Sequence, residues 1–158
     1  MIEISAETIG HVAYRLLKRA SIELPPDVEK ALEDAHQRES DVNGKAFYGS
    51  ILKNLEIAKG KRIPICQDTG VPIYYIDVGS KVFINGSVRG AIDEATRRTT
   101  EETPLRPQVT HPLTFKNPGT NTGWGLPPIY YNRIEGENYI DILAVPRGGG
   151  AESKWQCV

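Results

Sequence analysis

Cysteine is scarce in this sequence: Cys66 and Cys157 are the only two in 158 residues. They lie far apart and form no Cys-x-x-Cys pair, which excludes a zinc knuckle or a thioredoxin-like redox motif and leaves at most one disulfide, with nothing else pointing to an oxidising compartment. An excess of charge is also missing. Nineteen basic side chains face twenty acidic ones for a net charge of -1, so no overall positive field draws in nucleic acid or an anionic membrane. No run approaches the roughly 18 consecutive apolar residues of a membrane span, and the opening MIEISAETIG lacks a basic leader before an apolar core. These absences lead us to expect a soluble, cytoplasmic protein. With 39% hydrophobic and 25% charged residues, the chain has enough apolar material for one compact domain over residues 1–158.

The first third reads as helical. Ile9, Val12, Ala13, Leu16 and Leu17 recur at helical spacing, with Ser5 placed as an N-cap and Glu7 in the first turn. Pro25 and Pro26 end that unit and start a second, whose shorter stripe of Val28, Ala31, Leu32 and Ala35 runs to about Arg38. A third helix is expected from about Gly44 to Ala58, with Tyr48, Ile51, Leu52 and Leu55 on one face and Gly60 as a stop.

From about residue 61 the pattern turns mixed. VPIYYIDVG (71–79) is rich in β-branched and aromatic residues and reads as a strand, and Val88, Ala91, Ile92 and Ala95 return to helical spacing after Asn85, Gly86 and Ser87. PPIYYNRI and NYIDILAVP read as a strand pair turning at Glu135, Gly136 and Glu137. The expected fold is therefore α+β: about three N-terminal helices (1–60) packed with a mixed, mainly antiparallel sheet region (61–158).

Three stretches carry chemistry. IPICQDTGVPI (63–73) interrupts an apolar segment with Cys66, Gln67 and Asp68. The aperiodic residues 104–128 contain Arg106, Thr110, His111, Lys116, Asn117, Asn121 and Thr122 among turn formers, a set able to offer several donors to one anion. Gly148, Gly149 and Gly150 follow a strand, where the lack of side chains lets backbone N–H groups approach a carboxylate or phosphate. Each has a plainer alternative. On composition alone Cys66 is more often a small buried hydrophobe than a ligand, Arg106 and Lys116 are more often solvated charges, and the glycine run is as often a flexible tail as an anion site.

Taken jointly and in this order, PICQDTG, RPQVTHPLTFKNPGTNTG and RGGGAES resemble the α-subunit, or N-terminal catalytic part, of the class I iron–sulfur hydro-lyases, the class I fumarate hydratases and L-tartrate dehydratases. The resemblance covers nearly the whole chain, and its most specific part is CQDTG together with the Arg-Pro…His-Pro-Leu and Lys-Asn-x-Gly-x-Asn-Thr segments. It implies reversible hydration of a small dicarboxylate, fumarate/malate first and tartrate as the alternative, with a non-catalytic dicarboxylate-binding or assembly module as a further reading. The implied cofactor is a [4Fe–4S] cluster held by three cysteine thiolates, with one iron open to substrate. Position by position, Cys66 is implied as a cluster ligand, Gln67 and Asp68 as substrate contacts, Asp68 also as part of a proton relay, Arg106 as a carboxylate clamp, and Gly149 as a source of backbone donors. The implied partner is a β-subunit or C-terminal domain carrying the base, in a homo- or hetero-oligomer.

Three departures stand out. Gly119, Thr120, Asn121 and Thr122 replace the family's Gly-Asp-Asn-Thr, and Arg147 stands where a lysine is usual. The family's second and third cluster cysteines lie beyond the equivalent of Val158, and Cys157 matches neither context. The 158 residues are accordingly expected to supply one cluster ligand, to lack the cluster when alone, and to place Arg106 near an accessible Cys66.

Overall fold

The structure, a computed structural model, describes residues 2–150. Its elements are β1 (Ile2–Ser5), α1 (Ala6–Ile22), α2 (Pro26–Arg38), α3 (Val42–Lys61), β2 (Ile73–Gly79), β3 (Val82–Asn85), α4 (Val88–Glu102), β4 (Ile129–Ile134) and β5 (Ile140–Val145). The α+β expectation and the three N-terminal helices are met. Cys157 lies outside the described residues.

Helix starts follow the local chemistry. Ser5 caps α1 by accepting the Thr8 N–H at 3.1 Å, Asp41 caps α3 through the Gly44 N–H at 2.9 Å, and Ser87 caps α4 through the Gly90 N–H at 3.2 Å. The proline at the first position of α2 needs no N–H there and arrives with a helical φ. Ile9, Ala13 and Leu17 of α1 are fully buried with Ile92 and Ala95 of α4 and Tyr74, Ile76 and Ala144 of the sheet. At the α1–α4 crossing a Cβ on Gly10 would stand 3.1 Å from both the Ala91 Cβ and its carbonyl oxygen, so the helices meet at backbone distance. Truncating a buried aliphatic such as Leu17 to Ala in such a core costs about 2–5 kcal/mol. The remaining expected apolar positions divide. Val12 and Leu16 line a shallow groove with Ile140 and Ile142, whereas α2 buries none of its stripe and packs mainly along α3.

The sheet region is mixed, but two of its three pairings are parallel. β1 pairs parallel with β3, and β2 lies between β4, parallel to it, and β5, antiparallel to it. The mainly antiparallel sheet and the local β4–β5 hairpin are thereby corrected. β2 is inserted because Tyr74 and Ile76 point into the core and are completely buried, which favours the central position over either edge. Residues 135–139 then cross the end of β2, where the Gly79 N–H donates to the Tyr139 carbonyl at 2.9 Å and the Ser80 N–H to the Ile134 carbonyl at 2.8 Å. The crossing is close enough that a Cβ on Gly79 would fall 2.5 Å from the Glu137 carbonyl oxygen.

Candidate functional site

The three segments singled out by composition meet in space. Residues 63–72 form an irregular turn leaving α3 and entering β2. At its tip the Asp68 N–H approaches Cys66 Sγ at 3.4 Å, and the Thr69 N–H donates to the Cys66 carbonyl at 3.1 Å. Cys66 is exposed and free, against its alternative as a buried hydrophobe, and Gln67 is exposed beside it.

Two further segments clamp this turn through their backbones. On one side the Arg106 N–H donates to the Thr69 carbonyl at 2.7 Å; on the other the Gly70 N–H donates to the Arg147 carbonyl at 2.7 Å, and Thr69 bridges Gly148 in antiparallel fashion. This brings Arg106 Nη1 to 2.7 Å from Asp68 Oδ1, while the Gly150 N–H donates to Asp68 Oδ2 at 2.7 Å. The Asp68 side chain keeps 17% of its exposure against 60% for Arg106, so the pair is anchored at the carboxylate and open at the guanidinium. A guanidinium has five N–H donors, enough to span Asp68 and a second carboxylate together. The glycine run wraps the same group: a Cβ on Gly148 would stand 3.0 Å, and one on Gly150 3.1 Å, from Asp68 Oδ2.

Gln108, quoted within the Arg-Pro-Gln motif but given no role from sequence, sits between these parts. Its Nε2 donates to the Asp68 carbonyl at 2.6 Å, and a Cβ on Gly149 would lie 3.3 Å from its Oε1. The loop residues proposed as anion donors behave differently. Asn117 donates to the Pro107 carbonyl at 3.0 Å and accepts the Gly119 N–H at 2.8 Å; His111 Nδ1 accepts the N–H groups of Leu113 and Thr114 at 3.3 and 3.2 Å. Thr120 and Thr122 pair through their hydroxyls at 2.8 Å, and Asn121 is completely buried. Arg106 alone of that set reaches the Cys66–Asp68 turn by a side-chain contact among the described residues.

Over residues 11–158 the sequence matches the family model described as fumarate hydratase (Fumerase). The chain belongs to the fumarate hydratase family. It is 41% identical over 150 residues to a protein of Methanocaldococcus jannaschii provisionally named L(+)-tartrate dehydratase subunit alpha, an alignment covering 92% of this chain and 52% of that protein. A Geobacillus stearothermophilus protein provisionally named fumarate hydratase class I is 36% identical over 150 residues, covering 94% of this chain and 29% of the other. The L(+)-tartrate dehydratase subunit alpha of Escherichia coli K12 is 29% identical over 130 residues, 82% of this chain and 43% of its own length. The chain thus spans about half or less of the relatives it matches.

The donor set can be compared with what an iron–sulfur cluster requires. Among the described residues no group of three or more Cys, His, Asp and Glu side chains could hold a metal, and Cys66 is the one thiol there. The described residues alone therefore do not fit a four-iron cluster. They offer a single accessible thiolate beside an anchored carboxylate–guanidinium pair. No helix among them is long and apolar enough to cross a membrane.

Proposed function

We propose that this chain is part of the α portion of a cytoplasmic hydro-lyase that reversibly hydrates a small dicarboxylate, fumarate/malate in the first instance and tartrate as the alternative. The observation that carries the reading is the convergence of Arg106 with Asp68 at 2.7 Å, across an interval of thirty-eight positions, on the turn that exposes Cys66. Small dicarboxylates need a cation for a carboxylate, and hydration needs a group to move a proton as the carbon–oxygen bond is made or broken. Arg106 binds one substrate carboxylate with the part of its guanidinium not turned to Asp68. Gln67 and the N–H groups around Gly149 orient the rest of the ligand, and Asp68 is the carboxylate positioned to hold or pass a proton.

Cys66 would supply one thiolate to a [4Fe–4S] cluster in the assembled enzyme, the described residues holding no second thiol. When bound, such a cluster supplies Lewis acidity toward a hydroxyl. The assembly includes a β-subunit or C-terminal domain. In support, the loop beside the site holds Leu113, Phe115 and Trp124 at 84%, 80% and 103% exposure, apolar surface of the kind protein partners cover.

The test is anaerobic reconstitution of the chain with the remaining α polypeptide and the β partner of a family member. The expected result is brown iron–sulfur absorbance with fumarate or tartrate dehydratase activity, both abolished by Cys66→Ser while the helical first third stays folded. Full activity in the Cys66→Ser assembly, or in the 158-residue chain by itself, refutes the assignment.

A further inference from the structure

Asn121 was expected among the donors that face an anion, yet its side chain points the other way. It is completely buried, and its backbone φ of 56° lies in the left-handed region that asparagine tolerates better than most residues. One side-chain amide serves both ends of a three-residue segment: Oδ1 accepts the Gln108 N–H at 2.8 Å, and Nδ2 donates to the Arg106 carbonyl at 3.1 Å. Nδ2 also donates to Thr100 Oγ1 at 3.3 Å, which ties the amide to α4. The opposite edge of the segment is held by the Cys66–Gly70 turn, through the Arg106 N–H on the Thr69 carbonyl at 2.7 Å and Gln108 Nε2 on the Asp68 carbonyl at 2.6 Å. Residues 106–108 are therefore gripped from both sides, and the grip sets how far the Arg106 guanidinium reaches.

We propose that Asn121 is a positioning residue: its buried amide fixes Arg106-Pro107-Gln108 against the Cys66–Gly70 turn and so sets the placement of the Arg106 guanidinium, with Gln108 as the tie between the two segments. The inference rests on the dicarboxylate reading only for its consequence in ligand binding. The placement itself depends on hydrogen bonds within this chain. Pro107 at the centre has no N–H to offer, and its carbonyl accepts from Asn117 Nδ2 at 3.0 Å.

The experiment uses the full chain and nitrogen-15 NMR of the Arg106 guanidinium and the Gln108 amide. Asn121→Gly keeps access to a positive φ and removes both clamps. It should speed hydrogen exchange about tenfold or more at the Gln108 main-chain N–H, which loses its buried acceptor, and shift the Arg106 guanidinium signal as its pairing with Asp68 loosens. The Arg97 guanidinium, which pairs with Glu94 and Glu101 on the exposed side of α4, should be unchanged. Thr100→Val disturbs the same buried spot but leaves both clamps, and should leave both reporters as in the native chain. Should Asn121→Gly fail to fold, Asn121→Asp decides: it retains the acceptor for the Gln108 N–H and loses the donor to the Arg106 carbonyl, so a shifted Arg106 guanidinium signal is expected with the Gln108 N–H still protected.

A native Arg106 guanidinium signal in Asn121→Gly overturns the proposal, as do equal changes in Thr100→Val or changes at both reporters or at neither in Asn121→Asp. Fumarate is the ligand probe. It should shift the Arg106 guanidinium signal in the native chain and in Thr100→Val, and bind about tenfold more weakly to Asn121→Gly, a split that general loosening of this buried spot does not produce. If fumarate leaves the native chain's signal unmoved, the dicarboxylate reading falls, while the exchange rates still judge Asn121.

Discussion

Gly70 offers the sharpest test of how the site is assembled. A Cβ there would meet Gln108 Cδ at 2.5 Å, the Arg106 carbonyl oxygen at 2.7 Å and Gln108 Cγ at 2.8 Å. The Gln108 side chain has room to swing away only by giving up its bond to the Asp68 carbonyl, and the Arg106 carbonyl is backbone and yields only if the segment moves. Gly70→Ala should therefore cost about 1–3 kcal/mol in overpacking. Loss of the Gln108 tie and weakening of the Arg106–Thr69 backbone bond add about 1 kcal/mol each. A net destabilisation of about 3–5 kcal/mol lowers the melting temperature of a chain this size by about 6–20 °C. Gly60 is the control: it is helical, exposed, and a Cβ there meets nothing within 4 Å. Gly60→Ala should be neutral or stabilising by about 0.5–1 kcal/mol, the usual helix preference for alanine. Thermal unfolding followed by circular dichroism compares the two, and thiol labelling of Cys66 reports whether the turn has shifted. A melting temperature for Gly70→Ala equal to that of Gly60→Ala would refute the close approach from which the site is built.

Two more predictions concern pH and one the ion pair. Tyr14, Arg98 and Lys18 hold the Glu102 carboxyl down at about 2 through hydrogen bonds, Tyr14 foremost; its folded value lies below the ordinary 4.5, so its stabilisation is complete above about pH 4.5 and fades as pH falls towards 2. Glu102→Gln should flatten that part of the acid unfolding curve, and an unchanged acid midpoint counts against the Tyr14–Lys18–Glu102 link between α1 and α4. Burial pushes the Tyr74 hydroxyl up to about 12 against a partly offsetting hydrogen bond with Thr96; the unfolded chain ionises near 10, so stability should drop as pH rises from 10 to 12, and Tyr74→Phe should reduce the drop in alkaline melts. Arg106→Ala should leave the melting temperature within about 3 °C, since a half-exposed pair contributes about 1 kcal/mol or less, yet abolish fumarate binding followed by calorimetry; unchanged binding would relocate the carboxylate site.

The elements that were legible in the sequence share one property: their signals are local. Ser5 before an apolar stripe, two prolines between helices, and Asn-Gly-Ser before Val88 mark boundaries that hold to within a few residues. β1 and β3 escaped notice because each is four residues long and is made a strand by pairing with the other, a contact across about eighty positions that no local pattern encodes. The supposed β4–β5 hairpin failed for the same reason, since the short interval reads identically whether or not a third strand lies between the two runs. Among polar loop residues the ambiguity is deeper. Asn117, Asn121 and His111 spend their hydrogen-bonding capacity on nearby backbone or buried groups, a use that composition cannot distinguish from facing a ligand.

The site itself shows why the family pattern is spread over three distant motifs. Each motif contributes a backbone edge, and the first two a side chain as well. The Cys-Gln-Asp-Thr-Gly turn accepts from Arg106 through the Thr69 carbonyl and donates from Gly70 to Arg147, and those two contacts carry the Arg106 guanidinium and the glycine-run amides to the same carboxylate. Glycine is required where the edges touch, at Gly70 against Arg106 and Gln108 and at Gly148 against Asp68, since a Cβ at either would press on a neighbouring segment. A substitution on any one edge therefore displaces side chains that belong to the other two. Double-mutant cycles between Gly70→Ala and Asn121→Gly should accordingly be non-additive, because both release the same segment, residues 106–108, and it can be released only once. Strict additivity would mean that the two edges act on Arg106 independently, and the three motifs would then be neighbours without being a unit.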